Sequence, residues 1–486
     1  MKKYDEASPK SIEAYGKGMI GKTFREIYEQ AETADDSIVR EKGDGYLTNH
    51  AKKNFKGGLG NLVEECWFEY KANNDDRPDF PEAGVELKVT PYKELKTKKR
   101  FVAKERLVIT MINYMEIVKE KDFAHSHLLG KLQLMLLVWY LYIQGRKRID
   151  STVDYVQLFA LPEEDLEIIR EDYEKILAKI RAGKAHELSE GDTLYLGACT
   201  KASTASDRRQ QPMSDILAKP RAFSLRNKYM TYVLNHYILT NKVTYEPAVR
   251  GKVDNFEEYI TKTIDAHRGE SIEELCKRYN IETRPKNIGA MLAYRMLGIK
   301  GNQCEEFEKA GIAVKTIRIQ EKGTIRENMS FAPISYQELA SETWEDCTFG
   351  NYLRETRFFF VVYREDRAGI LRLAGCCFWN VPMKDLEGDI RIVWQETHDI
   401  IANGQLVLDI DMKGNVTNNL PKKQGHPVSH VRPHGRNRND TAPLPEGTML
   451  TVHGNTDAWP DTTCYTKQCF WLNNDYIRQQ LQLAGM

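Results

Sequence analysis

The sequence predicts an α/β protein built as two homologous domains in tandem, and three observations predict it. A chain of 486 residues with 41% apolar and 29% charged content can bury more than one core. Segments with helical apolar periodicity precede and separate segments that alternate, the ordering of an α/β domain. Three blocks also recur in one order along the two halves. GKTFREIYE (21–29) is echoed by GESIEELCK (269–277), and PRAFSLRNKYM (220–230) by KQCFWLNNDYI (467–477). Between them, LGNLVEECWFEYKANNDDRPDFPEAGVELKVTP (59–91) has a weaker echo in IGAMLAYRMLGIKGNQCEEFEKAGIAVKTIR (288–318). Setting Gly84 on Gly311 puts Lys88 on Lys315. The expected layout is a first domain over 1–247, a linker over 248–268 and a second domain over 269–486.

The elements follow in chain order. Leu59, Leu62, Val63, Cys66, Trp67 and Tyr70 recur at helical spacing, which predicts an amphipathic helix that also carries Glu64. After a polar stretch around Asn73 to Asp76, Pro78 and Pro81 break helix and favour extended backbone. From Val85 the pattern alternates: Val85, Leu87 and Val89 share one face, Glu86, Lys88 and Thr90 the other, as in a strand with an apolar back. Arg106–Tyr114 reads as a further core strand or buried segment. The apolar run Leu128–Ile143 also reads as a buried strand, with Lys131 inside it. Glu163–Ala182 is helical by pattern.

Bulk properties narrow the classes. The longest apolar run is too short, and too interrupted, to span a bilayer. MKKYDEASPK carries no apolar h-region, so a cytoplasmic protein without a membrane partner is expected. Nine cysteines without a CxxC pair fit reduced thiols. The formal net charge is zero, so any nucleic-acid contact must come from local patches.

One constellation carries chemistry. Two carboxylates on neighbouring strands can bind a hard, oxygen-seeking cation such as magnesium. A lysine two residues after the second carboxylate shares its strand face, because side-chain direction has period two. Glu86 and Lys88 meet this condition, and Asp79, just after Pro78, supplies the partner carboxylate. The Leu87 carbonyl is a candidate further ligand. This is the PD-(D/E)xK arrangement of nucleases, in which a bound cation assists phosphodiester hydrolysis. Glu94-Leu95-Lys96 spells the same motif locally, but KELKTKKR has no alternating apolar back and reads as a solvated basic loop.

KGGLGNLVE followed by DFPEAGVELKVTP resembles the core of the MutH mismatch-repair nickase family. REDYEKILAKIRAGKAHELSEGDTLYLGACTKASTA and KPRAFSLRNKYMT extend the likeness over nearly the whole first domain. Chain length, the tandem layout and a C-terminal HVRPH followed by FWLNNDYI resemble the Sau-type, GATC-cutting restriction endonucleases of that family. The resemblance implies two domains, each a mixed central sheet flanked by helices. It implies that Asp79 and Glu86 coordinate Mg2+, that Lys88 orients the attacking hydroxide, that Glu64 supports the metal site, and that Lys131 lies near the scissile phosphate. For base reading the family uses an Arg-Pro-Lys loop, and this chain has Cys199-Thr200-Lys201, so only Lys201 is retained as a specificity residue. Arg221, Arg226 and Lys228 are candidate phosphate contacts, with ordinary surface charge as the alternative.

In the second copy the positions of Asp79, Glu86 and Lys88 hold Glu306, Ala313 and Lys315, and Ala293 stands opposite Glu64. Alanine cannot ligate a metal, whereas Arg432, Pro433 and His434 keep a basic reading loop. The resemblance therefore implies one cleaving domain and one DNA-binding effector domain. It implies double-stranded GATC as substrate, a cognate methyltransferase as functional partner, and a monomer able to pair on DNA. Two competing readings stand beside it: a MutH-like nickase of mismatch repair, and a non-catalytic DNA-binding protein on a nuclease fold.

Overall fold

The computed structural model describes residues 3–32, 58–70, 77–95, 100–201, 204, 206–240, 245–282 and 285–486. It divides into two compact units, Met1–Tyr245 with Glu305–Gly311, and Glu246–Cys304 with Ile312–Met486. Each is α/β with mixed and antiparallel sheets.

Unit 1 opens with α1 (Pro9–Gly16) and α2 (Phe24–Glu32), then α3 (Gly58–Leu62), which runs on as a π-helical turn over Val63–Trp67. β1 (Glu86–Leu95) lies between β2 (Arg100–Ala103) and β4 (Met135–Leu141), and β5 (Val153–Phe159) closes the sheet. β1 and β4 are parallel, with Glu86 opposite Met135 and Lys88 opposite Leu137, and the other pairings are antiparallel. Leu87, Leu136, Val138 and Val156 bury one face of this sheet against Ile12, Phe24, Leu62 and Val63. That burial fixes the register, since a one-residue slip would turn Glu86 into the core.

A second, antiparallel sheet sets β7 (Arg221–Leu225) between β3 (Leu107–Met111) and β6 (Leu196–Thr200). The long helix α5 (Glu163–Arg181) anchors the start of β6: buried Asp172 accepts the N–H groups of Leu194, Tyr195 and Leu196 at 2.7–2.9 Å. Burial pushes the Asp172 carboxyl up to about 6. The short helix Glu305–Ala310 is also part of unit 1, where Lys309 bonds Asp165 at 2.7 Å.

Unit 2 repeats the scheme. β8 (Ile312–Ile319) pairs parallel with β10 (Arg357–Glu365), which pairs antiparallel with β11 (Leu371–Trp379). Its antiparallel sheet sets β13 (Gln468–Leu472) between β9 (Met329–Pro333) and β12 (Ser429–Pro433).

Three expectations change. The stretch 248–268, read as a linker, contains the helix Phe256–Asp265, whose Phe256, Ile260 and Ile264 are buried in unit 2. The run Leu128–Ile143 is not one strand: α4 (His127–Leu132) precedes β4, because Ser126 caps it by accepting the Leu129 N–H at 3.1 Å. The decoy Glu94 and Leu95 end β1 rather than lying in a loop, with Glu94 exposed opposite Phe101; Lys96 lies outside the described residues. No helix among the described residues is long and apolar enough to cross a membrane, and all nine cysteines are free thiols.

Candidate active site

A cleft of about 930 Å³ in unit 1 is lined by Glu64, Asp79, Glu86, Lys88 and Lys131 on one side and by Ile109, Thr110 and Met111 of β3 on the other. It thus lies between the two sheets. Local chain geometry explains how three of these side chains meet. Phe80 and Val85 exchange backbone hydrogen bonds at 2.9 and 3.2 Å across the turn 81–84. Gly84 takes φ +64° there, a left-handed conformation that glycine adopts without a Cβ penalty. This small hairpin returns Asp79 to the mouth of β1, where its Oδ2 accepts the Leu87 N–H at 2.8 Å. Strand alternation then turns Glu86 and Lys88 to the cleft and Leu87 to the core.

Glu86 is the hub. Its side chain is 2% exposed and accepts from Lys88 Nζ at 2.6 Å and from Lys131 Nζ at 3.3 Å. Lys131 reaches it from α4, not from within an apolar strand as expected. Glu64 stands on the π-helical turn, an irregularity often found where helices carry functional groups.

The cleft carries unbalanced charge. Burial, then the charge of Asp79, pushes the Glu64 carboxyl up to about 7. Burial and the charge of Glu86 raise Asp79 as well, against the opposing pull of Lys88, the Leu87 N–H and Lys131. Three carboxylates thus share two lysines in a desolvated site, which favours a proton or a further cation. Tyr70 points the same way. Its hydroxyl is buried without a hydrogen-bond partner among the described residues, its ring packs edge-on to Phe80, and burial, then the charges of Asp79 and Glu64, disfavour its ionisation. A buried orphan hydroxyl calls for a water or ion. Among the described residues no three His, Cys, Asp or Glu side chains form a closed metal cage. A hard divalent ion that keeps much of its water does not need one, and all-oxygen donors suit it. Asp79 and Glu86 fit that role.

The predicted base-reading and phosphate-contacting residues lie elsewhere. Lys201 follows β6, with its N–H bonded to the Pro220 carbonyl at 2.8 Å, and residues 202, 203 and 205 of its loop lie outside the described residues. Arg221 is corrected: it is 4% exposed and donates to the carbonyls of Ala198 (2.5 Å) and Leu188. Arg226 is buried likewise, on the carbonyls of Thr193 and Leu194. Both arginines are structural, tying β7 to neighbouring chain, and neither is available to a phosphate. In unit 2, Arg432 and His434 are exposed, with Arg432 5.0 Å above the Trp471 ring and His434 edge-on to it at 5.4 Å.

Sequence reasoning missed Tyr70 and the pair His127 and Glu120, which also line or adjoin the cleft. A helical reading of 127–132 would have put His127 one turn from Lys131.

Two carboxylates and a lysine at the start of an inner strand, beside a cleft between two sheets, form the arrangement of the PD-(D/E)xK class of nucleases. Comparison with known proteins agrees and goes further. Residues 68–172 match the family model described as "DNA mismatch repair enzyme MutH", a stretch that holds Asp79, Glu86, Lys88 and Lys131. The chain is 35% identical to "Type II restriction enzyme Sau3AI" of Staphylococcus aureus, over 95% of this chain and 98% of that protein. It is 27% identical to the DNA mismatch repair protein MutH of Shigella flexneri serotype 5b, over 40% of this chain and 84% of that protein. The MutH of Shewanella baltica is 26% identical over 38% and 80%. The chain therefore belongs to the MutH-related type II restriction endonucleases that include Sau3AI, and is a site-specific deoxyribonuclease acting on DNA.

Proposed function

We propose that this enzyme recognises double-stranded GATC and hydrolyses both strands before the guanine, leaving 5′-phosphates, in a cytoplasmic restriction system with a cognate methyltransferase. The observation that carries the cleavage reading is Glu86 held between Lys88 and Lys131 with Asp79 beside it. Asp79 and Glu86 would hold Mg2+, which when bound supplies an activated water and neutralises phosphate charge. Lys88, fixed on the same strand face as Glu86, orients the attacking oxygen. Lys131 meets the scissile phosphate and offsets the negative charge that grows on it. Glu64, with its raised affinity for a proton, is a ready acceptor for the proton of the attacking water or for a cation.

Unit 2 serves as a non-cleaving, DNA-binding effector in this reading. Its β8 carries Ala313 where β1 carries Glu86. Its β12 and the residue after it carry Arg432, Pro433 and His434 where β6 and the residue after it carry Cys199, Thr200 and Lys201. With one competent centre per chain, a double-strand break requires two nicks or two monomers pairing on DNA. GATC rests on Lys201 as a donor to guanine acceptors and on kinship with the Sau3AI family.

Digestion of unmethylated and methylated plasmid with magnesium, followed by end-sequencing, tests this. Linear products with ends before the G of GATC are expected. Nicked circles alone would indicate the MutH-like nickase, and gel retardation without cleavage a DNA-binding protein. Arg432→Ala with His434→Ala should weaken DNA binding and slow cleavage; unchanged binding and cleavage would remove the effector role.

A further inference from the structure

The cleft contains a side-chain relay that the proposed mechanism does not use. His127 opens α4 and lines the cleft, four residues before Lys131. Residues four apart share a helix face, about one 5.4 Å turn apart. The His127 Nδ1 is bonded to Glu120 Oε1. The other Glu120 oxygen accepts the hydroxyl of fully buried Tyr173. The Glu120 carbonyl in turn accepts Arg181 Nη2 at 2.9 Å. Ring and carboxylate are thus held from α5, and the His127 side chain remains 28% exposed. Nε2, on the far side of the ring from Glu120, has no hydrogen-bond partner among the described residues. A histidine so oriented by a carboxylate is a common device for presenting the other ring nitrogen to a ligand.

The charge inventory says what ligand. The charged groups facing the cleft are Glu64, Asp79, Glu86, Glu116 and Glu120 against Lys88, Lys119, Lys131 and His127. Lys88 and Lys131 are engaged by Glu86, and Lys119 by Glu116 at 2.8 Å. A DNA strand entering this acidic cleft needs donors. With Nδ1 held by Glu120, Nε2 is the ring nitrogen left to meet a phosphate oxygen as a donor. Unit 2 agrees by contrast: counted from the helix cap or from the paired strand, the position of His127 holds Thr348 or Gly350.

We propose that His127 is a substrate-contacting residue, whose Nε2–H donates to a phosphate oxygen of the bound strand next to the one Lys131 meets. Glu120 is its positioning residue. This rests on the cleft being the cleavage site, so Glu86→Ala is the control. Retained cleavage in Glu86→Ala would overturn that reading and with it this inference.

The test measures kcat/KM on duplex oligonucleotides in which single phosphates are replaced in turn by uncharged methylphosphonate, with wild type, His127→Ala and His127→Gln. His127→Ala should lower kcat/KM about 10- to 100-fold, and His127→Gln less, because the amide still donates. One methylphosphonate position should cost wild type a similar factor and cost His127→Ala nothing more. Equal penalties at every position in both proteins, or wild-type rates in His127→Ala, would overturn the contact. Glu120→Gln should lower kcat/KM only when His127 is present, and should shrink the penalty of that one methylphosphonate. The same loss of kcat/KM in the His127→Ala background would remove Glu120 as its positioning residue. Should His127→Ala fail to fold, the same comparison with His127→Phe, which fills the space without a donor, decides.

Discussion

The two units carry the same backbone plan with opposite chemistry. In each, a strand follows a glycine at φ +64° (Gly84, and Gly311 just ahead of the unit 2 strand) and pairs parallel with an apolar strand, which pairs antiparallel with a third. In unit 1 the second residue after that glycine is Glu86, bonded to Lys88. In unit 2 it is Ala313, and Lys315 stands half-buried with no carboxylate partner among the described residues, its amine lowered by desolvation. Asp79 sits beside a hairpin, whereas its counterpart Glu306 is helical. Counting back from the paired strands puts Arg354 opposite Lys131, and Arg354 stacks on Trp344 and pairs with Glu387 at 3.5 Å rather than with a carboxylate of β8. The reading strands show the reverse. Cys199 is fully buried, while Arg432 at the same register is exposed. Core packing and glycine conformation hold the plan, and the polar faces vary without disturbing it.

The largest expected effect lies in that difference. Glu86→Ala should reduce cleavage at least about a thousandfold while DNA is still retarded on a gel. Adding Ala313→Glu to it should restore nothing, because the helical Glu306 does not reproduce Asp79. Cleavage regained in the double variant would break the comparison.

Next come the two arginines. Arg221→Ala strands the carbonyls of Ala198 and Leu188 and should cost about 3 kcal/mol, seen as a lowered Tm. Arg432→Ala should leave Tm unchanged and weaken DNA binding about 10- to 100-fold in titrations. An unaltered Tm in Arg221→Ala would return that residue to the surface.

Glu64→Gln should stabilise the metal-free protein by about 1–3 kcal/mol at pH 8, measured by denaturant unfolding. The sign follows from the raised carboxyl. Between the ordinary carboxyl value of 4.5 and about 7 the folded state holds a proton that the unfolded state has released, so wild-type stability falls as pH rises through that window. The gain should vanish below pH 4.5, and a gain that persists there would assign it to packing instead.

Smallest of all, Ala313→Glu alone should pair with Lys315 and change stability by less than about 1 kcal/mol, with the Lys315 amine moving back up when followed by NMR.

The α/β class, the repeat and the family were legible in the sequence, because alternation at Val85, Leu87 and Val89 and the recurrence of blocks are local patterns. The meeting of Asp79 with Glu86 was half legible. Pro78 and Gly84 signal a turn, but only the Phe80–Val85 pairing shows that the turn returns Asp79 to the strand. Leu128–Ile143 misled because a continuous apolar run does not distinguish strand from buried helix; the cap at Ser126 decides it.

What the sequence by itself determined is the set of chemical groups and their order: Asp79, then Glu86 and Lys88 at strand spacing in one half, with alanine in the place of Glu86 in the other. The tertiary structure alone decided which cations serve that centre. Lys131 reaches Glu86 from 45 residues away and Glu120 meets Tyr173 across 53, while Arg221 turns inward. Burial and long-range pairing depend on how elements pack, and charge in a sequence carries no record of which side of the sheet will be covered.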